Sequence, residues 1–111
     1  MLKKLFRISN SQEYNNTYKN GLKIPGKYLI AYIMINNLGI NRFGIVASKK
    51  VGNAVIRNRS RRRIRAIAES SGEHLQPGYD IVIIARQSIV ATDYNRLEKD
   101  FYTVMKKAGL C

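Results

Sequence analysis

Residues 48–65, SKKVGNAVIRNRSRRRIR, hold eight cations and no acid. Asn53 is a good N-cap, because its short amide can accept from a backbone N–H of the first turn. Ser71-Gly72 supplies a stop. The spacing predicts a helix from Ala54 to Ser70. At about 100° per residue, Arg57, Arg61, Arg65, Asn58 and Arg62 fall within a sector of about 140°, while Ile56, Ile64 and Ile67 lie on the other side. Such a helix can join a core by one face and turn a row of guanidinium forks outward by the other. Each fork is able to grip two phosphate oxygens.

The segments on either side read as strands. Arg42–Ser48 (RFGIVAS) precedes the helix, and Tyr79–Ala85 (YDIVIIA) follows it as a near-continuous apolar run, the pattern of a strand covered on both faces. A strand, a helix and a strand in that order make a crossover between parallel strands. Upstream, Tyr28–Asn36 (YLIAYIMIN) is rich in β-branched and aromatic residues. With Asn37, Gly39 and Asn41 between them, it and Arg42–Ser48 have the pattern of a hairpin. Lys23 and Ile24 add a short strand before it.

Ser9 with Gln12 fits a capping box, Ser11 is an alternative cap, and Asn20-Gly21 is a stop, so Ser11–Lys19 is predicted helical. Thr92 or Asp93 caps a last helix in which Leu97, Phe101, Val104, Met105 and Ala108 recur at helical spacing, with Gly109 past its end. The expected architecture is an α-β-β-β-α-β-α sandwich of the α+β class. It is read as a single domain, 1–111, with a mixed sheet and helices packed against it.

Composition narrows the function. The 111 residues carry a formal charge of +13, at 45% hydrophobic and 24% charged, which is a globular composition with a strong self-repulsion. Fifteen of the basic residues and a single acid, Glu13, lie in residues 1–68, whereas residues 69–111 are nearly balanced. Like charges at i,i+4 along the central helix repel, and no interleaved Glu relieves them. A polyanion is the expected partner. Cys111 is the only cysteine, so no disulfide framework can form within the chain, consistent with an expected cytoplasmic setting. The longest apolar run, Tyr28–Ile35, is far shorter than the ~18 residues that span a bilayer, so no membrane partner is expected.

Protein-based catalysis finds little footing. His74 is the only histidine and sits in a loop-like Ser-Gly-Glu-His stretch, where no triad can be assembled around it. A two-metal nuclease needs clustered carboxylates, yet Asp93, Glu98 and Asp100 are explained as helix-capping and surface charges. Binding chemistry is better supplied. Tyr14 and Tyr18, one turn apart, can present two rings for unpaired bases to stack on, each worth roughly 1–3 kcal/mol; half-buried packing is the competing reading. Ser48, Lys49 and Lys50, with Asn53 at the helix start, place cations and backbone N–H groups where a phosphate could sit. The spacing of glycine to lysine is not that of a P-loop.

The run Ser48-Lys49-Lys50-Val51-Gly52-Asn53-Ala54-Val55 leading into Arg57-Asn58-Arg59 resembles the arginine-asparagine-arginine signature of the bacterial ribonuclease P protein subunit family. The flanking features agree in order: Arg7, the pair Tyr14 and Tyr18 before Asn20-Gly21, and Gly78-Tyr79-Asp80 leading to Ile84-Ala85-Arg86. The resemblance covers nearly the whole chain and implies a subunit of a ribonucleoprotein endoribonuclease that removes the 5′ leader of precursor tRNA. It implies a left-handed β-α-β crossover, where general rules favour the right-handed one. By resemblance, Lys49, Lys50, Asn53, Arg57, Asn58, Arg59, Arg61, Arg62 and Arg65 would contact the catalytic RNA. Tyr14, Tyr18, Tyr32, Ser48 and Lys49 would line a cleft for the single-stranded leader. Catalysis and its Mg²⁺ would belong to the RNA, with no cofactor held by the protein and no obligate protein partner. Many relatives carry phenylalanine where Tyr14 and Tyr18 stand, so the stacking face is kept and a hydroxyl added. A ribosomal-protein-like structural RNA binder, with the same charge and no leader cleft, is the alternative.

Overall fold

The structure, a computed structural model, describes residues 6–111. Helix α1 spans Ser11–Asn20, strands β1 and β2 span Leu22–Pro25 and Leu29–Ile35, and β3 spans Arg42–Val46. Helix α2 (Ala54–Ser70), strand β4 (Tyr79–Ala85), a 3₁₀ turn (Gln87–Ala91) and helix α3 (Tyr94–Lys107) complete the chain. The strands form one mixed sheet in the order β1-β2-β4-β3. β4 runs antiparallel to β2 and parallel to β3, so β3, α2 and β4 form the expected crossover. This is the α+β architecture read from the sequence.

One expectation is overturned. Tyr28–Asn36 and Arg42–Ser48 do not form a hairpin: β2 pairs with β1 on one side and β4 on the other, and β4 separates it from β3. β4 has buried residues on both faces, and a strand of that kind takes an interior position in a sheet. The turn signals between β2 and β3 are genuine, with Asn37 and Gly39 at φ 58° and 72°. They carry the chain past the end of β4. Asn36 N–H donates to Gly78 O at 2.9 Å, Tyr79 N–H to Asn41 Oδ1 at 2.9 Å, and Asn41 Nδ2 to Gln76 O at 2.8 Å. The true hairpin is β1–β2, with Lys23 opposite Tyr32.

The sheet has two unequal faces, because successive side chains alternate. The odd-numbered residues of β2, β3 and β4 face α2 and α3, where Leu29, Ala31, Phe43, Ile81 and Ile83 meet Ile64, Ile67, Leu97, Phe101 and Val104 in one cluster. Burying each of these large side chains contributes about 1.5–3 kcal/mol. The even-numbered residues face α1. There Ile8, Thr17 and Val82 are buried but stand outside that cluster, in a thinner layer beneath one short helix.

One cap and one acid differ from expectation, and the choice between Thr92 and Asp93 is decided. Asn10, not Ser9 or Ser11, caps α1, its Oδ1 accepting from Glu13 N–H at 2.8 Å. Asp93 caps α3 through Arg96 N–H at 2.8 Å, and Thr92 is buried beside it. Asp100 is not a surface charge. It is 8% exposed, and its two oxygens accept from Lys27 N–H (3.0 Å) and Tyr28 N–H (2.9 Å), tying α3 to the β1–β2 turn. A buried carboxylate needs such donors to offset its lost hydration. Among the described residues no helix is long and apolar enough to cross a membrane.

Candidate nucleic-acid interface

Helix α2 begins where the sequence places it. Asn53 Oδ1 accepts from Ile56 N–H at 3.0 Å, and the helix sinks Ile64 and Ile67, both fully buried, into the core. Arg59, Arg62 and Asn58 are exposed on the outer side; Arg57, Arg61 and Arg65 are half-buried. Arg57 and Arg61 reach back toward the preceding loop. Arg57 Nη1 donates to Gly52 O at 3.1 Å, Arg61 Nη1 approaches Ala47 O at 3.5 Å, and Arg61 Nη2 donates to Asn58 Oδ1. These partners are neutral. Among the described residues the ion pairs are made by Arg42 and Arg96, and none by an arginine of α2.

Arg63 behaves differently. It points to the isoleucine side and donates to Ile89 O at 2.7 Å and Thr92 O at 2.9 Å, latching α2 to the 3₁₀ turn. Burial lowers its pKa below the ordinary guanidinium value, and the nearby Arg59 adds to that effect. It is a structural arginine inside a cationic run. The loop before α2 presents Ser48, Lys49 and Lys50 to solvent, with Val51 buried as its anchor and Val51 N–H donating to Ser48 O at 3.0 Å.

The expected cleft residues gather on the α1 face of the sheet. Tyr14 and Tyr18 have ring centroids 6.5 Å apart, and Tyr18 meets Tyr32 of β2 edge-on at 5.1 Å. Lys23 Nζ lies 5.9 Å from the Tyr32 ring centre, within cation–π range. Tyr14 lies against Gly44 of β3 so closely that a Cβ there would come within 2.5 Å of Cε1. One side of that ring is therefore already packed. Burial raises the Tyr14 phenol pKa, opposed by a backbone hydrogen bond at Ile45 and by Arg65; Tyr18 is raised by burial and then by Tyr14 and Tyr32. Arg7, Ile8, Tyr14, Phe43, Ile45 and Arg65 surround a small hollow of about 170 Å³, and the buried Nε of Arg65 has no hydrogen-bond partner among the described residues.

The floor of the cleft follows from the strand register. Tyr32, Val82 and Gly44 form one row across β2, β4 and β3, with Val82 and Gly44 buried. The next row, Ile30, Ile84 and Val46, is only half-buried. It ends beside Ser48 and Lys49 after β3, beside Arg86 after β4, and beside Lys27 before β2. An aromatic and aliphatic floor rimmed by cations suits a flexible polyanion with flat bases.

A feature not read from the sequence holds α1 in place. Arg42 Nε and Nη2 donate to Asp80 Oδ1 (2.9 Å) and Oδ2 (2.8 Å), and Arg42 Nη1 pairs with Glu13 Oε2 at 2.7 Å. Asn36 Nδ2 adds a third donor to Asp80 at 2.9 Å. The hydrogen bonds with Asp80 and then Glu13 raise the Arg42 pKa above its already high value against the cost of burial. The signal was present: an Asp inside the apolar run YDIVIIA needs a buried partner, and Glu13 is the lone acid of the basic half. Elsewhere, His74 is exposed, and among the described residues no three His, Cys, Asp or Glu side chains gather as metal ligands.

Fold and surface together define a class: a small α+β protein marked, among the described residues, by the sheet order β1-β2-β4-β3, three α-helices and the arginine-rich α2. Comparison with known proteins makes this particular. A family model described as Ribonuclease P matches residues 2–109. The ribonuclease P protein component of Syntrophomonas wolfei is 44% identical over 110 residues, covering 99% of this chain and 92% of that protein. That of Clostridium botulinum is 38% identical over 105 residues, 94% and 95% of the two chains. The solved Staphylococcus aureus RNase P protein aligns with a TM-score of 0.85 at 31% identity, covering 95% of this chain and 96% of that one. The RNase P protein from Thermotoga maritima shares the fold, with a TM-score of 0.84 at 24% identity over 91% and 96%. The chain belongs to the ribonuclease P protein family, whose members are protein components of a ribonuclease.

Proposed function

We propose that the chain binds the catalytic RNA of ribonuclease P through α2 and its preceding loop, and the 5′ leader of precursor tRNA through the cleft between α1 and the sheet. The observation that carries this reading is the surface of α2: Arg59 and Arg62 are exposed and Arg57, Arg61 and Arg65 half-buried, while the only acid of the basic half, Glu13, is held by Arg42. Lys49, Lys50, Asn53 and Asn58 extend the same surface toward the loop. About six phosphate contacts there give a slope of log affinity against log salt of about −4 to −5.

Tyr14, Tyr18 and Tyr32, with Ser48 and Lys49 at the rim, hold the leader. Because the leader is present in precursor and absent from product, this contact favours substrate over product. About 2.7 kcal/mol corresponds to roughly a hundredfold preference. The chain itself does no bond chemistry. Glu13 and Asp80 are committed to Arg42, Asp100 to the β1–β2 turn and Asp93 to its helix cap, so these residues do not fit a Mg²⁺ site. Hydrolysis of the phosphodiester is assigned to the RNA and its Mg²⁺.

Reconstitution tests the proposal. With ribonuclease P RNA, the chain is expected to lower the Mg²⁺ or salt needed for precursor cleavage, and Tyr18→Ala to weaken precursor binding while leaving leaderless tRNA unchanged. Equal losses for both RNAs, or no effect of the chain on the Mg²⁺ requirement, contradict it.

A further inference from the structure

The sheet end that carries the cleft floor also carries a second concavity, on the far side of the β1–β2 turn. It encloses about 480 Å³ and is lined by Lys27, Tyr28, Arg96, Lys99, Asp100 and Thr103. Its floor is spoken for: Asp100 is nearly buried and each of its oxygens accepts a backbone N–H of the turn. Its rim is cationic. Lys27, Arg96 and Lys99 are all exposed, and the one ion pair among them is a loose one, Arg96 Nε to Asp93 Oδ2 at 3.9 Å. Residues 69–111 are balanced in charge overall, yet positions 96, 99 and 103 share one side of α3 at helical spacing. Lys99 and Thr103 also border a neighbouring hollow with Glu98, Tyr102 and Lys106, whereas Arg96 and Lys27 line this concavity alone.

The turn that joins this concavity to the cleft is rigidly built. Gly26 N–H donates to Leu29 O at 2.7 Å, Arg86 Nη1 to Gly26 O at 3.0 Å, Arg86 N–H to Tyr28 O at 2.9 Å, and Ser88 Oγ to Lys27 O at 2.6 Å. Lys27 is thus held at the point where the Ile30, Ile84 and Val46 row meets the α3 side. Five residues of extended chain, about 17 Å, separate it from Tyr32. A surface fixed in advance loses little entropy when it binds.

We infer that the leader track continues past the cleft. The distal nucleotides of the same single strand cross the β1–β2 turn and lay phosphates against Lys27, Lys99 and Arg96. The inference rests on the cleft being the leader site and adds the direction in which the strand leaves it. Three phosphate contacts to a single strand steepen the salt slope by about 2, so a fourfold rise in salt weakens a fully engaged leader by about an extra twentyfold.

The test uses the reconstituted holoenzyme carrying Lys27→Ala, Arg96→Ala and Lys99→Ala together, with the triple arginine/lysine swap Lys27→Arg, Arg96→Lys, Lys99→Arg as the charge-preserving control. Affinities are measured for precursors with leaders of about four and about twelve nucleotides and for leaderless tRNA. Only the long leader is expected to lose affinity and salt sensitivity, and the control is expected to restore both. Equal loss for all three RNAs places the surface on another RNA and overturns the inference, as does no loss for any. Tyr18→Ala, run in parallel, keeps the two readings apart. If it weakens short and long leaders while the triple alanine variant weakens neither, the cleft stands and its extension falls; if Tyr18→Ala affects neither length, the cleft reading itself falls.

Discussion

Two regions of this molecule use arginine in opposite ways. At the junction of α1 with the sheet, Arg42 is enclosed by Asp80, 4% exposed at its side chain, and by Glu13, and its charge is matched within the protein. On the outer side of α2, Arg59 and Arg62 are exposed, and the neighbouring Arg57 and Arg61 touch only neutral oxygens. Arg63 lies between the two cases, its guanidinium held by two neutral carbonyls rather than by a carboxylate. The difference teaches that folding needs Arg42 and Arg63 but has no use for the outer row, whose mutual repulsion only burdens the helix.

Four variants would break or sharpen that contrast. The largest effect is expected from Asp80→Asn, which leaves the Arg42 guanidinium without its main partner; breaking such a pair costs about 3–5 kcal/mol, read by urea denaturation. A cost below about 1 kcal/mol would remove Arg42 from the structural set. Arg63→Ala is expected to cost about 2–3 kcal/mol in the same assay, from the loss of charge-assisted bonds to Ile89 and Thr92. Gly44→Ala forces a methyl against the Tyr14 ring and is expected to cost about 1–3 kcal/mol. It should also weaken precursor binding more than leaderless tRNA binding, because Tyr14 must leave its seat. The smallest change in stability, within about 0.5 kcal/mol, is expected from Arg59→Ala with Arg62→Ala. The same pair should have a clear effect on RNA affinity, so stability and binding part company there and nowhere else in the series.

Much of this was legible in the chain. Asn53, the isoleucines at 56, 64 and 67 and the stop at Ser71-Gly72 define α2 by local rules of capping and periodicity, and local rules suffice for a helix of 17 residues. Strand neighbours are not local. The turn residues between β2 and β3 read as a hairpin because nothing near them announces that β4, some forty residues on, will lie between the two strands. The Glu13–Arg42–Asp80 clamp was missed for the same reason, although Asp80 in an apolar strand asked for a partner. Asp100 was misplaced because a helix pattern does not say which turn will present its N–H groups to a carboxylate. The cleft was legible in part: one-turn spacing brings Tyr14 beside Tyr18, but only the fold brings Tyr32 to 5.1 Å from Tyr18 and presses Tyr14 onto Gly44.

The surplus charge of α2 is most directly tested by the salt dependence of affinity for ribonuclease P RNA, compared between the native chain and the Arg59→Ala, Arg62→Ala variant. A native slope of about −4 to −5, flattened by nearly 2 in a variant of unchanged melting temperature, is the predicted result. Superimposable slopes in the two proteins would contradict it and return those arginines to the solvent.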